Sequence, residues 1–252
     1  MRSRGRDLAV TLVAAAAFVL AWKLLVVVAG YPTFVLPAPE IVAARFTGAW
    51  SDGTIAPHAL VTLTEIALGF LVGAVSGLVV GYLLARSRLA ERLLSPYLVA
   101  AQATPILAIA PLIALWFGRG LLGKVVICSL IVFFPVAVAT SVGIRTVDPR
   151  LLEMARSFRA TRLHLVTRVE IPAALPAIMG GIRIGVTLAV IGAIVGEWAG
   201  ANQGLGVLIN LARGSLFDTP LLFATLLTVA LIGVALYLVT TLVERRLVGA
   251  RG

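Results

Sequence analysis

Six long apolar runs, separated by short polar connections rich in arginine, organise this chain. They cover about residues 8–29, 59–85, 94–117, 122–143, 173–199 and 221–242. Roughly 20 apolar residues in helical form cross the hydrocarbon layer of a bilayer. The pattern therefore predicts an all-α, polytopic membrane protein with six transmembrane helices, residues 1–252 forming one transmembrane domain. The first run exceeds the roughly 7–15 apolar residues of a signal peptide, so a retained span is expected there. Lys23 interrupts it and is expected to snorkel toward the interface. Between the first two runs lie Pro32, Pro37, Pro39 and Pro57, and Glu40 to Trp50 reads as a surface helix after the turn at 36–39. His58 reads as an interfacial polar residue. Pro96, Pro105 and Pro111 predict that the third span is kinked or broken, because each proline removes a backbone donor. Pro135 falls inside the fourth.

Two of the runs carry glycines in register. Gly69, Gly73, Gly77 and Gly81 repeat every four residues and share one helix face, which lets a second helix approach closely. Gly181, Gly185, Gly192, Gly196 and Gly200 do similarly in the fifth span. Charges within hydrocarbon are costly and need a partner or water. Three stand out: Glu65, Arg183 and Glu197. Fourteen residues, about 21 Å of helix, separate Arg183 from Glu197, so these two cannot pair with each other. Arg183 needs a partner elsewhere, Glu65 for example, or a place on a water-filled path. Glu65, Gln102, Thr104, Arg183, Glu197 and Asn202 are the pathway candidates, with Gln203 beside them.

Composition sharpens this reading. Sixty per cent of residues are hydrophobic and 13% charged, against about 25% charged in soluble domains. The single cysteine, Cys128, cannot form an intrachain disulfide and reads as a small core hydrophobe. The net charge of +10 invites a nucleic-acid reading, but its distribution argues against one. Fifteen of the 21 Lys and Arg residues fall on one side of a six-span arrangement, and excess positive charge marks the cytoplasmic face. Both termini and the 145–171 connection are thus expected in the cytoplasm. Gly118 to Val125 imitates the glycine and lysine spacing of a nucleotide-binding loop, but it lacks the Ser or Thr that would hold magnesium. No metal-ligand cluster, nucleophile–base set or carboxylate pair stands out, so neither metal nor cofactor is expected and catalysis is not this chain's task.

The remaining polar segment, Leu151 to Pro176, is unlike the other connections. Leu151, Met154, Ala155, Phe158, Leu165 and Val169 recur at three- and four-residue intervals, with Arg156, Arg159, Arg162 and Arg168 largely off that stripe. It reads as one or two short amphipathic helices at a membrane surface, serving either as a docking face or as an ordinary basic loop. The segment resembles the cytoplasmic loop of ABC-importer permeases: Glu-Ala-Ala, three residues, Gly, nine residues, Ile-x-Leu-Pro. Glu153-Met154-Ala155 opens it, Val169-Glu170-Ile171-Pro172 closes it, and Pro176 follows. Arg159 stands where that pattern has glycine, and an L-residue in the left-handed region costs roughly 1–2 kcal/mol. A turn of ordinary dihedrals, or a continuous helix, is expected instead. Pro111 to Gly118 and Gly200 to Gly206 resemble the nitrate/sulfonate/taurine-type branch, which includes pyrimidine-precursor and riboflavin permeases.

The resemblance implies a type I ABC-importer-like permease without catalytic residues of its own. It would work with two copies of a cytoplasmic ATP-binding subunit, an external solute-binding protein and a second permease copy, most simply as a homodimer in a prokaryotic plasma membrane. It further implies that Leu151, Glu153, Ala155, Phe158, Arg159, Pro172 and Pro176 couple the spans to the ATPase, with Leu151, Ala155 and Phe158 filling its cleft and Glu153 capping the helix start. An ion-coupled secondary transporter using Glu65 and Glu197 is the alternative of a different class.

Overall fold

The computed structural model describes residues 2–249, and every regular element among them is helical. The first apolar run forms α1 (Arg2–Ala29), followed by the surface helix α2 (Pro39–Ser51) and the second span α3 (Ala56–Arg86). The proline-rich third run divides into α4 (Arg88–Ala103) and α5 (Ile106–Phe117), bent by 101° at Thr104-Pro105. Pro105 has no N–H to continue the ladder, which is why the helix ends there. Next come α6 (Leu121–Arg145), α7 (Pro149–Ser157), α8 (Arg162–His164), a π-helical turn (Leu165–Glu170) and α9 (Ile171–Trp198). Two more helices follow, α10 (Leu205–Arg213) and α11 (Thr219–Val248). The fifth span continues through the π turn, so one apolar helix runs unbroken from Arg162 to Trp198. It begins well before the residue that hydropathy alone marks.

The glycine register sets the helix order. The face of α3 bearing Gly69, Gly73, Gly77 and Gly81 lies on α6, meeting Cys128, Ser129, Phe133 and Ala137 in turn. Contacts advance together along both chains, so α3 and α6 run parallel. A Cβ on Gly77 would stand 2.8 Å from the Phe133 carbonyl oxygen, closer than packed atoms allow. On its other side α6 packs antiparallel to α9, with Gly181 against Pro135 and Ala139 and Gly196 against Lys124. Because α3 and α6 point the same way, the bent α4–α5 pair has to carry the chain back across the layer. It therefore counts as a crossing, which makes six.

Ile66, Ala74, Cys128, Val132, Val136, Ala189 and Ala193 fill the space between α3, α6 and α9. Cys128 is fully buried and free. A second core, Ala49, Ile55, Leu205, Leu208, Leu221 and Ala224, joins α2, α10 and α11 at the end remote from α7. Helix α10 was not anticipated: nine residues between Gly204 and Gly214 are too few for periodicity to mark. The first span is peripheral, touching α11 through stacked Trp22 and Phe223, 5.8 Å between ring centres. Lys23 pairs with Glu40 of α2 at 3.0 Å.

Candidate functional site

The segment between α6 and α9 folds as two short helices joined by a tight turn. Asp148 caps α7 by accepting the Arg150 N–H at 2.8 Å, and Pro149 occupies the first turn, where its missing donor costs nothing. Glu153 was expected to cap this helix. It lies a full turn further on, exposed, because Asp148 already holds the N-cap. Leu152 turns inward onto Ile144, Val147, Ala174 and Ile178. Ala155, three residues on, is half-buried on the same side and does not share the outward stripe of Leu151 and Phe158. Met154 takes that place: Leu151, Met154, Phe158 and Leu163 are 41%, 56%, 80% and 71% exposed.

Arg159 overturns the expectation of ordinary dihedrals. Its φ is +58°, the left-handed region glycine would occupy. The turn is the reason. The Ala160 N–H donates to the Ala155 carbonyl at 3.1 Å and the Arg159 N–H to the Arg156 carbonyl at 2.9 Å. These are the paired 6→1 and 5→2 bonds of a Schellman motif, which requires a left-handed residue at this position. Two satisfied carbonyls outweigh the cost of the side chain. Thr161 then starts the next helix, accepting the His164 N–H at 3.3 Å.

Pro172 and Pro176 sit in the first turns of α9, directly after the π turn. Each proline deprives a carbonyl one turn earlier of its donor, and a π turn is a common way to absorb such a defect without ending the helix. Just ahead of Pro172, Glu170 is 6% exposed and pairs with the Arg86 guanidinium. Its Oε2 also accepts from Tyr82 Oη at 3.0 Å. Arg145 bonds Glu91 and the Leu84 carbonyl oxygen, both at 2.7 Å. The bases of the loop are thus tied to α3 on both sides.

At the opposite end, Glu65 and Glu197, 0% and 1% exposed, are brought together with Lys124. Lys124 pairs with Glu65, not Arg183 as anticipated; Arg183 pairs with Glu244 of α11 and lies 5.8 Å over the Tyr237 ring. The lysine that imitated a phosphate-binding loop is thus a counter-charge inside the helix bundle. Glu197 accepts from Thr62 Oγ1 at 2.5 Å and from the Gly206 N–H. The Leu205 N–H donates to Thr62 Oγ1 at 2.8 Å, and the Gly204 N–H to His58 Nδ1 at 3.0 Å. Three successive backbone donors thereby fasten the 200–206 turn to α3 and α9. Gly204 has φ +132°, and a Cβ there would overlap the Glu197 carboxylate.

The six pathway candidates do not form one group. Glu65 and Glu197 are enclosed, Arg183 is paired deeper along α9, and Asn202 is exposed on the turn beyond Trp198. Gln102 and Thr104 lie together, exposed, where α4 breaks into α5. Sequence reasoning did not mark Lys124, Tyr82 or Glu244 as partners of the charges within the spans, since partners on separate spans leave no spacing to read. Ionisable residues within apolar runs were the available signal.

Six apolar crossings with an exposed amphipathic loop between the fourth and fifth define a polytopic transport permease. Residues 73–249 match the family described as "Binding-protein-dependent transport system inner membrane component", and the chain belongs to that family, as a translocating permease subunit of the ABC-importer type. Among its relatives is the riboflavin transport system permease protein RibX of Chloroflexus aurantiacus, 47% identical over 90% of this chain and 84% of that one. Another, the formylaminopyrimidine transport permease protein ThiX of Halalkalibacterium halodurans, is 34% identical, with 84% of each chain covered. The fold matches a chain of the inward-facing MetNI methionine ABC transporter with a TM-score of 0.68 at 20% identity, covering 77% of this chain and 95% of that one. Membership of this family does not favour the secondary-carrier alternative.

Proposed function

We propose that this chain forms the membrane path of an ATP-driven importer in a prokaryotic plasma membrane, taking a small solute from an external binding protein into the cytoplasm. Both termini and the 149–164 loop face the cytoplasm, two permease copies enclose the path, and two separate ATP-binding subunits hydrolyse ATP. The family's description, binding-protein-dependent transport, supports the external partner. The solutes in the relatives' names, riboflavin and formylaminopyrimidine, support a small organic cargo.

The observation that carries the proposal is the exposed row Leu151, Met154, Phe158 and Leu163 on a loop whose second helix runs on into α9. Four large apolar side chains held out of the protein need a partner. In this reading α7 enters a cleft of the ATPase, and Arg159 and Glu153 lie at its rim. Closure of the two ATPases displaces α7. Leu152 and the π turn pass that displacement to α9, and Glu170–Arg86 passes it to α3. The glycine-packed α3, α6 and α9 then move as a block, because interlocked helix faces do not slide independently.

The test uses membranes holding the whole transporter. Phe158→Asp and Glu153→Arg are expected to abolish solute uptake and release the ATPase on purification, while the permease itself stays folded. Full uptake with the ATPase retained in both variants would remove the coupling assignment.

A further inference from the structure

Two carboxyls and one ammonium are enclosed where α3, α6 and α9 meet, and their charges do not balance. Glu65 of α3 and Glu197 of α9 are 0% and 1% exposed, and Lys124 of α6 is 8% exposed. The other titratable groups around them are committed or distant. His58 of α3 is engaged with the 200–206 turn, its Nδ1 accepting the Gly204 N–H at 3.0 Å. Cys128 of α6 is buried and donates to the Ala189 carbonyl oxygen at 3.4 Å. Arg119 lies against Gly200 and is exposed, and Asp218, ahead of α11, is paired with Arg45 at 2.9 Å. Neither α5 nor the 200–206 turn carries a charged residue, and Arg213 stands at the far end of α10. With both carboxyls ionised, one negative charge would be left uncompensated out of reach of water, which is strongly disfavoured.

The hydrogen-bond donors are as uneven as the charges. Glu197 receives Thr62 Oγ1–H and the Gly206 N–H. Glu65 has only Lys124, facing Oε1, and its Oε2 has no donor among the described residues. The Glu197 carboxyl is the polar group beside it. Two ionised carboxylates only accept and cannot bond each other, whereas one proton between them supplies the missing donor and removes the surplus charge. A calcium ion would need roughly six to eight oxygens, more than these two carboxyls and the Thr62 hydroxyl provide.

We propose that Glu65 and Glu197 bind a single proton between them, and that this shared proton is a clasp joining the start of α3 to the end of α9. While it is held, Glu197 stays in place to receive Thr62 and Gly206, and the 200–206 turn is fastened. When it leaves to solvent, adjacent carboxylates on facing helices repel and the clasp loosens. The folded chain then binds one proton that the unfolded chain, with both carboxyls ionised, does not, so its stability falls as pH rises. The proton is a fixed part of the fold and not a transported ion, since neither carboxyl reaches a surface. None of this depends on the importer reading.

Infrared spectra of the purified permease, with glutamate carrying carbon-13 in the side-chain carboxyl, test the clasp. The C=O stretch of a neutral carboxylic acid is expected, shifted by the label. Glu65→Gln and Glu197→Gln should each abolish it, because the remaining carboxylate then serves Lys124 alone. Lys124→Met should raise it about twofold, since both enclosed carboxyls must then be neutral. The glutamine variants keep size and polarity, so they decide the matter even where Lys124→Met does not fold. Thermal midpoints followed from mildly acidic to alkaline solution should fall more steeply for the unsubstituted protein than for Glu197→Gln, and His58→Asn should keep the steep fall. Absence of the band, its survival in both glutamine variants, its loss on adding sodium chloride, or equal slopes in Glu197→Gln would overturn the proposal.

Discussion

Replacing Lys124 with methionine removes the counter-charge for Glu65 while keeping the length of the apolar stem. Glu65 is fully buried, and among the described residues no hydroxyl or backbone N–H donates to its carboxylate. The Glu197 carboxyl lies beside it, so Lys124→Met leaves two acidic groups enclosed without a cation. Breaking a buried pair from one side costs about 3–5 kcal/mol, whereas replacing both partners by apolar groups is often neutral or better. In a chain of this size about 1 kcal/mol corresponds to roughly 2–4 °C in the midpoint of thermal unfolding, so Lys124→Met should lower it by about 6–20 °C. Glu65→Leu should cost less, since the ammonium can still turn to Glu197. The double variant Glu65→Leu/Lys124→Met should recover most of the loss seen in Lys124→Met. Thermal midpoints of the four purified proteins in one detergent give the coupling directly. Additive losses, with the double variant worse than either single one, would refute the claim that these charges serve each other.

Arg159→Gly keeps the Schellman turn and removes the side-chain cost, so stability should be unchanged or raised by up to about 1 kcal/mol; Arg159→Val, which crowds the same dihedrals, should lose at least as much, by thermal midpoint. Gly77→Val should cost about 1–3 kcal/mol by forcing α3 from α6, because a Cβ there meets the Phe133 carbonyl oxygen at 2.8 Å. Gly48→Ala, in α2 with open space around it, should instead stabilise by about 0.5–1 kcal/mol in the same assay. Glu170→Gln loses the charge on Arg86 but can keep the Tyr82 bond, so uptake should fall further than the roughly 1.5–3 kcal/mol loss in stability suggests. Transport measured beside melting separates the two effects.

The broad fold was legible because hydrocarbon imposes few solutions: long apolar runs become helices, and Pro105 shows where one must break. The four-residue glycine spacing gave the packing face of α3, although only the folded arrangement reveals that α6 lies on it and runs parallel. What the chain hides are pairings between spans. Glu65, Lys124 and Glu197 come from three helices, and nothing local distinguishes Lys124 from an interfacial lysine. Arg159 misled for another reason. Its intrinsic cost argued against a left-handed turn, but the hydrogen bonds of Arg159 and Ala160 settle the conformation, and these depend on where α7 ends. Ala155 falls on the expected stripe by count, yet the anchoring of Leu152 rotates the helix so that Met154 faces outward in its place.

The coupling claim is open to one clean measurement. Cys128 is fully buried and is the chain's one cysteine, so Phe158→Cys adds a single accessible thiol at the end of α7. In right-side-out vesicles a membrane-impermeant maleimide should leave that thiol unlabelled. In opened membranes it should react, and the bound ATPase should protect it. Labelling from outside in sealed vesicles, or equal labelling with and without the ATPase, would contradict the account.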